Sequence, residues 1–216
     1  MTYPTHRQYA ICFAFLTSML VYKYSLSEIN YYLALPIILM ASKYGALFPD
    51  LDHIWQNVKE KTVPNWIINK LIHITGGKHR SWQTHSIDIL AIFGAIGIIF
   101  PSILLEYNKI SPVNKEVLAI LVVGFFSGWA SHLLADMMTS AGVRLFCWNK
   151  KLLIRLVPRH LGKLRFNTGN EWEGFVYKVV RVINILLGLL CISFPLIPSI
   201  LDGSLVEQLK YFIPIL

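Results

Sequence analysis

The sequence carries imidazole and carboxylate side chains close to the ends of its apolar stretches. The candidate metal ligands among them are His6, Asp50, His53, His79, His85, His132 and Asp136. His132 and Asp136 are four residues apart, a spacing that puts two side chains on one face of a helix. Mixed histidine and carboxylate ligands suit Zn²⁺, Mn²⁺ or Fe²⁺ better than Ca²⁺. Because the candidates outnumber the four ligands of one zinc ion, the sequence predicts a site for one to three ions.

The same groups have a simpler interpretation, in which they cap helix ends and hydrogen-bond between helices. Ionisable groups beside an apolar stretch are costly unless they share a partner, and their recurrence at several points along the chain favours a shared metal. Asp52 stays open between metal ligand, general base and turn cap. His73 and His160 are interpreted as hydrogen-bonding residues at the membrane interface.

The composition predicts that these groups are positioned by membrane helices. Of the 216 residues, 55% are hydrophobic and 15% are charged, and the mean hydropathy is +0.52. These values are too apolar for an ordinary soluble domain. The three cysteines form no CxxC pair and are interpreted as small apolar residues of the helices.

The apolar stretches predict an all-α fold, a polytopic membrane helical bundle with about five spans. The expected spans are 9–24, 29–48, 86–105, 116–138 and 177–200. Two polar insertions, 49–84 and 143–176, separate them, and the apolar segment 204–216 is too short to cross and is expected at the interface. The whole chain, 1–216, is expected to form a single domain.

The charges predict which side of the membrane carries the candidate ligands. Five spans put the N-terminus and both insertions on one side, and 16 of the 20 lysines and arginines lie on or near that side. The positive-inside rule makes this side cytoplasmic. All seven histidines lie there too. The six tryptophans are interpreted as interfacial anchors: Trp55, Trp66, Trp82, Trp129, Trp148 and Trp172.

Positive charge is concentrated between Lys150 and Arg165. We interpret this run as a surface facing anionic lipid, with contact to a substrate phosphate as the alternative. No nucleic-acid-binding motif accompanies it, so no nucleic-acid partner is expected.

Five segments, in order along the chain, resemble a known family. They are Thr5-His6, FPDLDH at 48–53, HRSWQTHS at 79–86, SHLLADMMTSAGVRLFCW at 131–148 and FNTGNEWE at 166–173. Together they are similar to the YdjM-like membrane-bound metal-dependent hydrolases, a family associated with LexA regulation in some bacteria. The family has been related to the zinc-dependent phospholipase C and single-strand nuclease superfamily. The resemblance therefore implies metal-assisted phosphoester hydrolysis by the seven candidate ligands, in a bacterial inner membrane.

The expected function is hydrolysis of a phosphoester in a lipid or lipid-linked substrate at the cytoplasmic membrane face. Asp52 or Glu173 would accept a proton from water, and Arg80 would hold the phosphate; the resemblance favours Glu173 over Glu171. The alternative is a metal-binding protein without enzymatic activity, acting as a sensor, transporter or scaffold. Transport is disfavoured because the ionisable groups gather at one membrane edge, and a zinc protease is disfavoured because the chain contains no HExxH.

Overall fold

A computed structural model describes residues 2–24, 29–58, 60–107, 110–157 and 169–197 of the protein. Six α-helices account for most of these residues: α1 Tyr3–Lys23, α2 Tyr31–Leu47, α3 Val63–Ile74, α4 Ile87–Glu106, α5 Pro112–Met137 and α6 Glu171–Ser193. Strands β1 Val143–Arg144 and β2 Leu153–Ile154 pair antiparallel. The expected all-α bundle is confirmed, because the only sheet in the described part of the chain is this short hairpin.

Four helical segments are long and apolar enough to cross a membrane. They are Tyr31–Asp52, Ile87–Leu104, Pro112–Met137 and Glu171–Leu196, and they confirm four of the five expected spans. The first expected span, 9–24, lies in α1, a 21-residue helix that is not among the four. Its polar residues, among them His6, Arg7 and Lys23, keep its hydropathy low. The interfacial segment expected at 204–216 lies outside the described residues.

Helix starts are marked by polar caps that satisfy otherwise unpaired backbone N–H groups. Ser111 caps α5, where its side chain accepts a hydrogen bond from the Asn114 N–H at 3.2 Å and Pro112 occupies the first turn. Thr62 caps α3 and Asn170 caps α6 in the same way. Pro49 lies in a 3₁₀ turn, Phe48–Asp52, which follows the end of α2.

Helices α1, α2 and α5 pack on one another and form the centre of the bundle, while α4 packs on α5 and α6 on α1. Small residues allow the central helices to approach closely. A Cβ at Gly128 of α5 would lie 1.9 Å from the Ser42 carbonyl oxygen of α2, and one at Gly45 would lie 1.8 Å from the Phe125 carbonyl oxygen. The Ser42 hydroxyl donates to the Ala10 carbonyl of α1 at 2.9 Å. Through these contacts the backbones of α2 and α5 touch each other, and α2 is hydrogen-bonded to α1.

The insertion at 49–84 contains the amphipathic helix α3, which the sequence interpretation did not include. Its inner face holds Asn69, whose side-chain amide donates to the carbonyls of Leu51 (2.6 Å) and His53 (2.8 Å). His73 also reaches the His53 carbonyl, at 3.2 Å. Helix α3 therefore holds the loop that carries the candidate ligands Asp50 and His53.

Candidate metal centre

Two buried stripes, one on α5 and one on α1, lead to one end of the bundle. In α5 the stripe runs through Gly124 and Gly128 to His132 and Asp136, one residue in every four. In α1 it runs from Ser18 back through Ala14 and Ala10 to His6. Because residues four apart share a helix face, close packing along each stripe sets the position of the ligand at its end. Asp50 follows the end of α2 at the same end of the bundle.

The His132 side chain is buried and oriented by backbone. Its Nδ1 lies 2.8 Å from the Ala46 carbonyl oxygen. Because a carbonyl can only accept, Nδ1 carries the proton and Nε2 presents a lone pair. Nε2 lies 3.9 Å from Asp50 Oδ1 and 4.0 Å from Asp136 Oδ2. The ring stacks on His6 with centroids 3.8 Å apart.

His85, just before α4, is oriented by the buried carboxylate of Asp52. The His85 Nδ1 lies 3.0 Å from Asp52 Oδ2, and its Nε2 lies 3.6 Å from Asp136 Oδ2. Asp52 Oδ2 also accepts from the Ser81 N–H (3.2 Å) and the Thr84 hydroxyl (2.7 Å). A histidine that binds a metal through one ring nitrogen usually donates a hydrogen bond from the other nitrogen to a carboxylate, which fixes the tautomer and the ring orientation.

Two groups of side chains can hold a metal ion. The ligand atoms of His6, His132 and Asp136 lie within 4.8 Å of one another, and so do those of Asp50, His85 and His132. Bonds of about 2.0 Å in a tetrahedral zinc site place ligand atoms roughly 3.3 Å apart. The nitrogen-to-oxygen distances of 3.6–4.0 Å reach this value with small side-chain movements.

Unsatisfied ring nitrogens support this fit. His85 Nε2 and His132 Nε2 are buried and have no hydrogen-bond partner among the described residues, and the same holds for His6 Nδ1. Buried polar atoms are rarely left unpaired because desolvation without a partner is costly. A cation bound by the Nε2 atoms of His85 and His132, facing the Asp50 and Asp136 carboxylates, would satisfy both nitrogens. The residues present therefore fit a metal ion.

The remaining candidates form a partly exposed rim around this centre. His53 stacks on His79 with centroids 3.6 Å apart, and its Nε2 lies 3.8 Å from Asp50 Oδ1. His79 Nδ1 donates to Asp52 Oδ1 at 3.1 Å. Burial, and then the neighbouring His79 imidazole, lower the pKa of His53 below its usual value. Neither rim histidine belongs to the two groups that can hold a metal.

Arg80 lies on the same rim. Its Nη2 contacts Asp136 Oδ1 at 3.3 Å, while its Nη1 is buried without a hydrogen-bond partner in the described part of the chain. The Arg80 backbone has a φ of 59°, in the left-handed region that costs a non-glycine residue free energy. In this conformation the guanidinium contacts the Asp136 carboxylate.

Glu173, expected as a possible base, is a buried helix-end residue. Its carboxylate accepts from the backbone N–H and hydroxyl of Thr2 and from the Gly169 N–H at 2.7 Å. Its own N–H donates to the Asn170 side chain at 2.9 Å. These contacts connect the starts of α1 and α6 and resemble a capping box. Thr168, part of the pattern that singled out Glu173, lies outside the described residues.

Comparison with known proteins assigns the chain to a family. The family model described as YdjM inner membrane protein matches residues 1–195. The chain belongs to the YdjM family. Two relatives, each named inner membrane protein YdjM, come from Escherichia coli (strain K12) and Shigella flexneri. Each is 33% identical to this chain over 133 residues, which is 60% of the chain and 56% of the relative.

The matched region thus spans little more than half of those YdjM proteins, and no solved structure matches the chain. Family membership and the apolar helices make this chain a multi-pass inner membrane protein. Its described His and Asp groups are able to hold a metal.

Sequence reasoning missed or misjudged several residues of this YdjM-family site. Trp129 is not an interfacial anchor: it is 2% exposed, and its Nε1 donates to the Thr84 carbonyl at 2.9 Å. It is buried because it faces the segment that carries His85. The sequence did not reveal that the Ser81 backbone N–H and the Thr84 hydroxyl both donate to Asp52. His73 bonds backbone carbonyls, consistent with its interpretation as a hydrogen-bonding residue, and His160 lies outside the described residues.

Proposed function

We propose that the protein is a membrane-embedded, metal-dependent hydrolase that cleaves a phosphoester of a lipid or lipid-linked substrate. The observation that carries the proposal is the buried centre of His6, His85, His132 and Asp136 with Asp50 at its edge, in which unpaired ring nitrogens face carboxylates. Its location at one end of membrane helices supports a substrate whose head group lies at the membrane surface. We take zinc as the metal because its usual ligands are of these types.

A bound zinc ion would supply Lewis acidity, which activates water and polarises a phosphoryl oxygen. His6, His132 and Asp136, or Asp50, His85 and His132, would hold the ion. Asp52 accepts four hydrogen bonds, one at Oδ1 and three at Oδ2. We therefore propose that Asp52 orients His79 and His85, and that neither Asp52 nor Glu173 takes the proton.

The proton acceptor that we propose is His79. Because its Nδ1–H donates to Asp52, its Nε2 presents a lone pair at the partly exposed rim. A histidine oriented by a buried carboxylate is the arrangement of many general bases. Arg80, beside it, has a free Nη1 and is suited to holding a phosphate oxygen.

The distribution of positive residues supports a cytoplasmic position for this site. The contacts of His6, Asp50, His85 and Asp136 put the start of α1, the end of α2, the start of α4 and the end of α5 at one end of the bundle. These chain positions adjoin the segments rich in lysine and arginine. We propose, by the positive-inside rule, that this end faces the cytoplasm.

A second candidate is a metal-binding scaffold without catalytic activity. The deep burial of His6, His85, His132 and Asp136, each at most 3% exposed, supports it. Four such ligands would complete a tetrahedral site with no position for water. The partly exposed Asp50 and Arg80 beside them support the hydrolase instead, since they offer the substrate a way in.

The two candidates are tested by metal analysis and turnover on the protein purified in detergent without chelators. We expect bound zinc in the wild type and loss of most of it in a His132→Ala, Asp136→Ala double variant. The control is a Glu106→Ala variant, which removes an exposed carboxylate outside the centre and should keep its metal. A wild type that is metal-free and cannot be loaded contradicts both candidates.

The loaded protein is then assayed against glycerophospholipids and isoprenoid phosphates. Release of phosphate or a phosphorylated head group, lost in the double variant, supports the hydrolase. Full metal occupancy without turnover of any substrate supports the scaffold. Within the hydrolase, His79→Gln should lower kcat by about 10²–10⁴-fold while the metal content stays unchanged.

A further inference from the structure

We propose that an apolar pocket between α3, α4 and α5 binds one hydrocarbon chain of a membrane phospholipid whose head group lies at the rim of the metal centre. This inference rests on the proposed function only in taking that lipid as the substrate. The occupancy of the pocket by a lipid chain is a separate claim with its own measurement.

The pocket has the size and lining of a ligand site. Its volume is about 400 Å³, within the roughly 300–1,000 Å³ that is usual for small-molecule pockets. Apolar side chains dominate the lining, including Phe48, Ile68, Leu71, Ile72, Ile89 and Phe93. Three of its thirteen lining residues are polar, too few to orient a polar molecule of that size. The lining therefore selects a hydrocarbon.

The pocket opens towards the lipid. Phe93 belongs to a membrane-crossing segment of which only 11% of the residues are buried, and it is itself 51% exposed. On the opposite wall, Leu71 belongs to the outer face of α3, where Val63, Trp66, Ile67 and Ile74 are exposed as well. An amphipathic helix with an exposed apolar face lies in the membrane interface. Lipid chains can therefore enter between α3 and α4 without crossing water.

The pocket adjoins the rim of the metal centre through Thr84, which lines the pocket and donates its hydroxyl to Asp52. Thr75 and Gln83 are the other polar lining residues, and the Gln83 Nε2 donates to the Thr75 carbonyl at 3.2 Å. The Gln83 Oε1 is buried and has no hydrogen-bond partner in the described residues, so it is free to accept from a head group. The segment from Thr75 to His85 that forms this rim also carries Arg80. A lipid chain in the pocket thus brings its phosphate towards the arginine.

The pocket wall also supports the centre. Thr84 lines the pocket and donates its hydroxyl to Asp52, and Trp129 lines it and donates to the Thr84 carbonyl. Phe48, another lining residue, stands two positions before Asp50. An occupant therefore contacts residues that position the ligands, which links the bound chain to the site.

The probe for this proposal is a phosphatidic acid with a diazirine at the end of one acyl chain. The full-length protein is reconstituted with it in nanodiscs, irradiated and mapped by mass spectrometry. We expect saturable labelling of the peptides that contain Ile68–Ile72 and Ile89–Phe93, reduced at least fivefold by excess unlabelled phosphatidic acid. Labelling there that is no stronger than at the exposed Ile96 and Ile99, and is not reduced by the competitor, overturns the proposal.

Two variants of α4 sharpen the mapping. Ile89→Trp places a larger side chain in the pocket and should lower the saturable labelling about fivefold or more. Ile96→Trp makes the same change on the exposed face of the same helix and should leave it within about twofold. If Ile89→Trp does not fold, Ile68→Trp fills the pocket from α3 and takes its place. Unchanged labelling in a folded pocket variant contradicts the proposal.

The outcomes separate the pocket from the proposed function. Saturable labelling in a protein that hydrolyses no lipid retains the pocket and overturns the hydrolase. Hydrolysis of lipid without saturable labelling retains the hydrolase and overturns the pocket. If both hold, Ile89→Trp should raise KM for long-chain phosphatidic acid at least fivefold more than for its dihexanoyl analogue.

Discussion

The central helices α2 and α5 and the outer helices α4 and α6 are all apolar enough to cross a membrane but are packed very differently. In the most apolar segments of α2 and α5, 44% and 39% of the residues are buried within the protein, against 11% and 17% for α4 and α6. The central pair meets through glycines at backbone distance, whereas the outer pair faces lipid with large aliphatic side chains.

This difference coincides with the division of chemical roles. His132 and Asp136 lie on α5, Asp50 follows α2, and His6 lies on α1, which packs against both helices. The outer helix α4 contributes through His85, just before its start, while Glu173 at the start of α6 lies outside both ligand groups. The candidate metal centre thus lies mainly on the closely packed part of the bundle. Substitutions in the two regions should differ in the same way.

The strongest contrast is expected between two glycines. Gly128→Ala on α5 places a Cβ 1.9 Å from the Ser42 carbonyl oxygen, so α2 and α5 must separate. We expect a loss of about 3 kcal/mol in stability and weaker metal binding. Gly174→Ala on α6 meets nothing within 4 Å and should be neutral or stabilising by about 0.5–1 kcal/mol. Unfolding in SDS measures the stability of each variant, and metal titration measures its metal affinity. Equal losses in the two variants would contradict the contrast.

A pair of isoleucines should show a smaller difference. Ile38 on α2 is fully buried, and Ile38→Ala leaves a cavity that should cost about 2 kcal/mol. Ile96 on α4 is 55% exposed, and lipid fills the space left by Ile96→Ala, so we expect a change within about 0.5 kcal/mol. The same SDS titration compares them. A larger loss for Ile96→Ala would mean that α4 packs against another protein surface.

Substitutions of two buried carboxylates should affect different properties, metal affinity for Asp52 and stability for Glu173. Asp52→Asn removes the negative charge behind His85 and should weaken metal binding about 10–100-fold. Glu173→Gln weakens the hydrogen bonds at the start of α6 and should lower stability by about 1 kcal/mol, with metal affinity unchanged within twofold. Competition with a chelator gives both affinities. Equal losses of metal would place Glu173 in the centre.

The sequence predicted the parts of this structure that local patterns determine. Long apolar stretches mark helices, and the four-residue spacing of His132 and Asp136 marks a shared face. Helix α3 escaped prediction because its faces do not follow the pattern of a soluble helix: Asn65 and Asn69 are buried beside Ile72, while Leu71 is exposed. The hydropathy of α1 is low and therefore did not indicate that this helix packs at the centre of the bundle. Its packing depends on small residues such as Ala14 and Ser18, which are not strongly apolar.

The roles of individual residues in the centre depend on tertiary contacts, which the spacing of residues along the sequence does not predict. Asp50 and Asp52 are two positions apart in the same short motif. Both belong to one 3₁₀ turn, in which residues two apart point in different directions, so Asp50 lies near His132 while Asp52 contacts His79 and His85. Glu173 was selected by the family resemblance. Its hydrogen-bond partners could not be inferred from the sequence, because Thr2 is distant along the chain and Gly169 donates only through its backbone. The direction of each carboxylate follows from tertiary structure.

The stripes that end in ligands also limit which changes in length the chain can accept. Each added helical residue turns the following side chains by about 100° and moves them 1.5 Å along the axis. One residue inserted between Gly128 and His132 would leave the glycine contact intact and point the imidazole away from Asp50. Four inserted residues would restore the direction but displace His132 by about 6 Å. The count of residues between a packing contact and its ligand is therefore as restricted as the identity of the ligand itself.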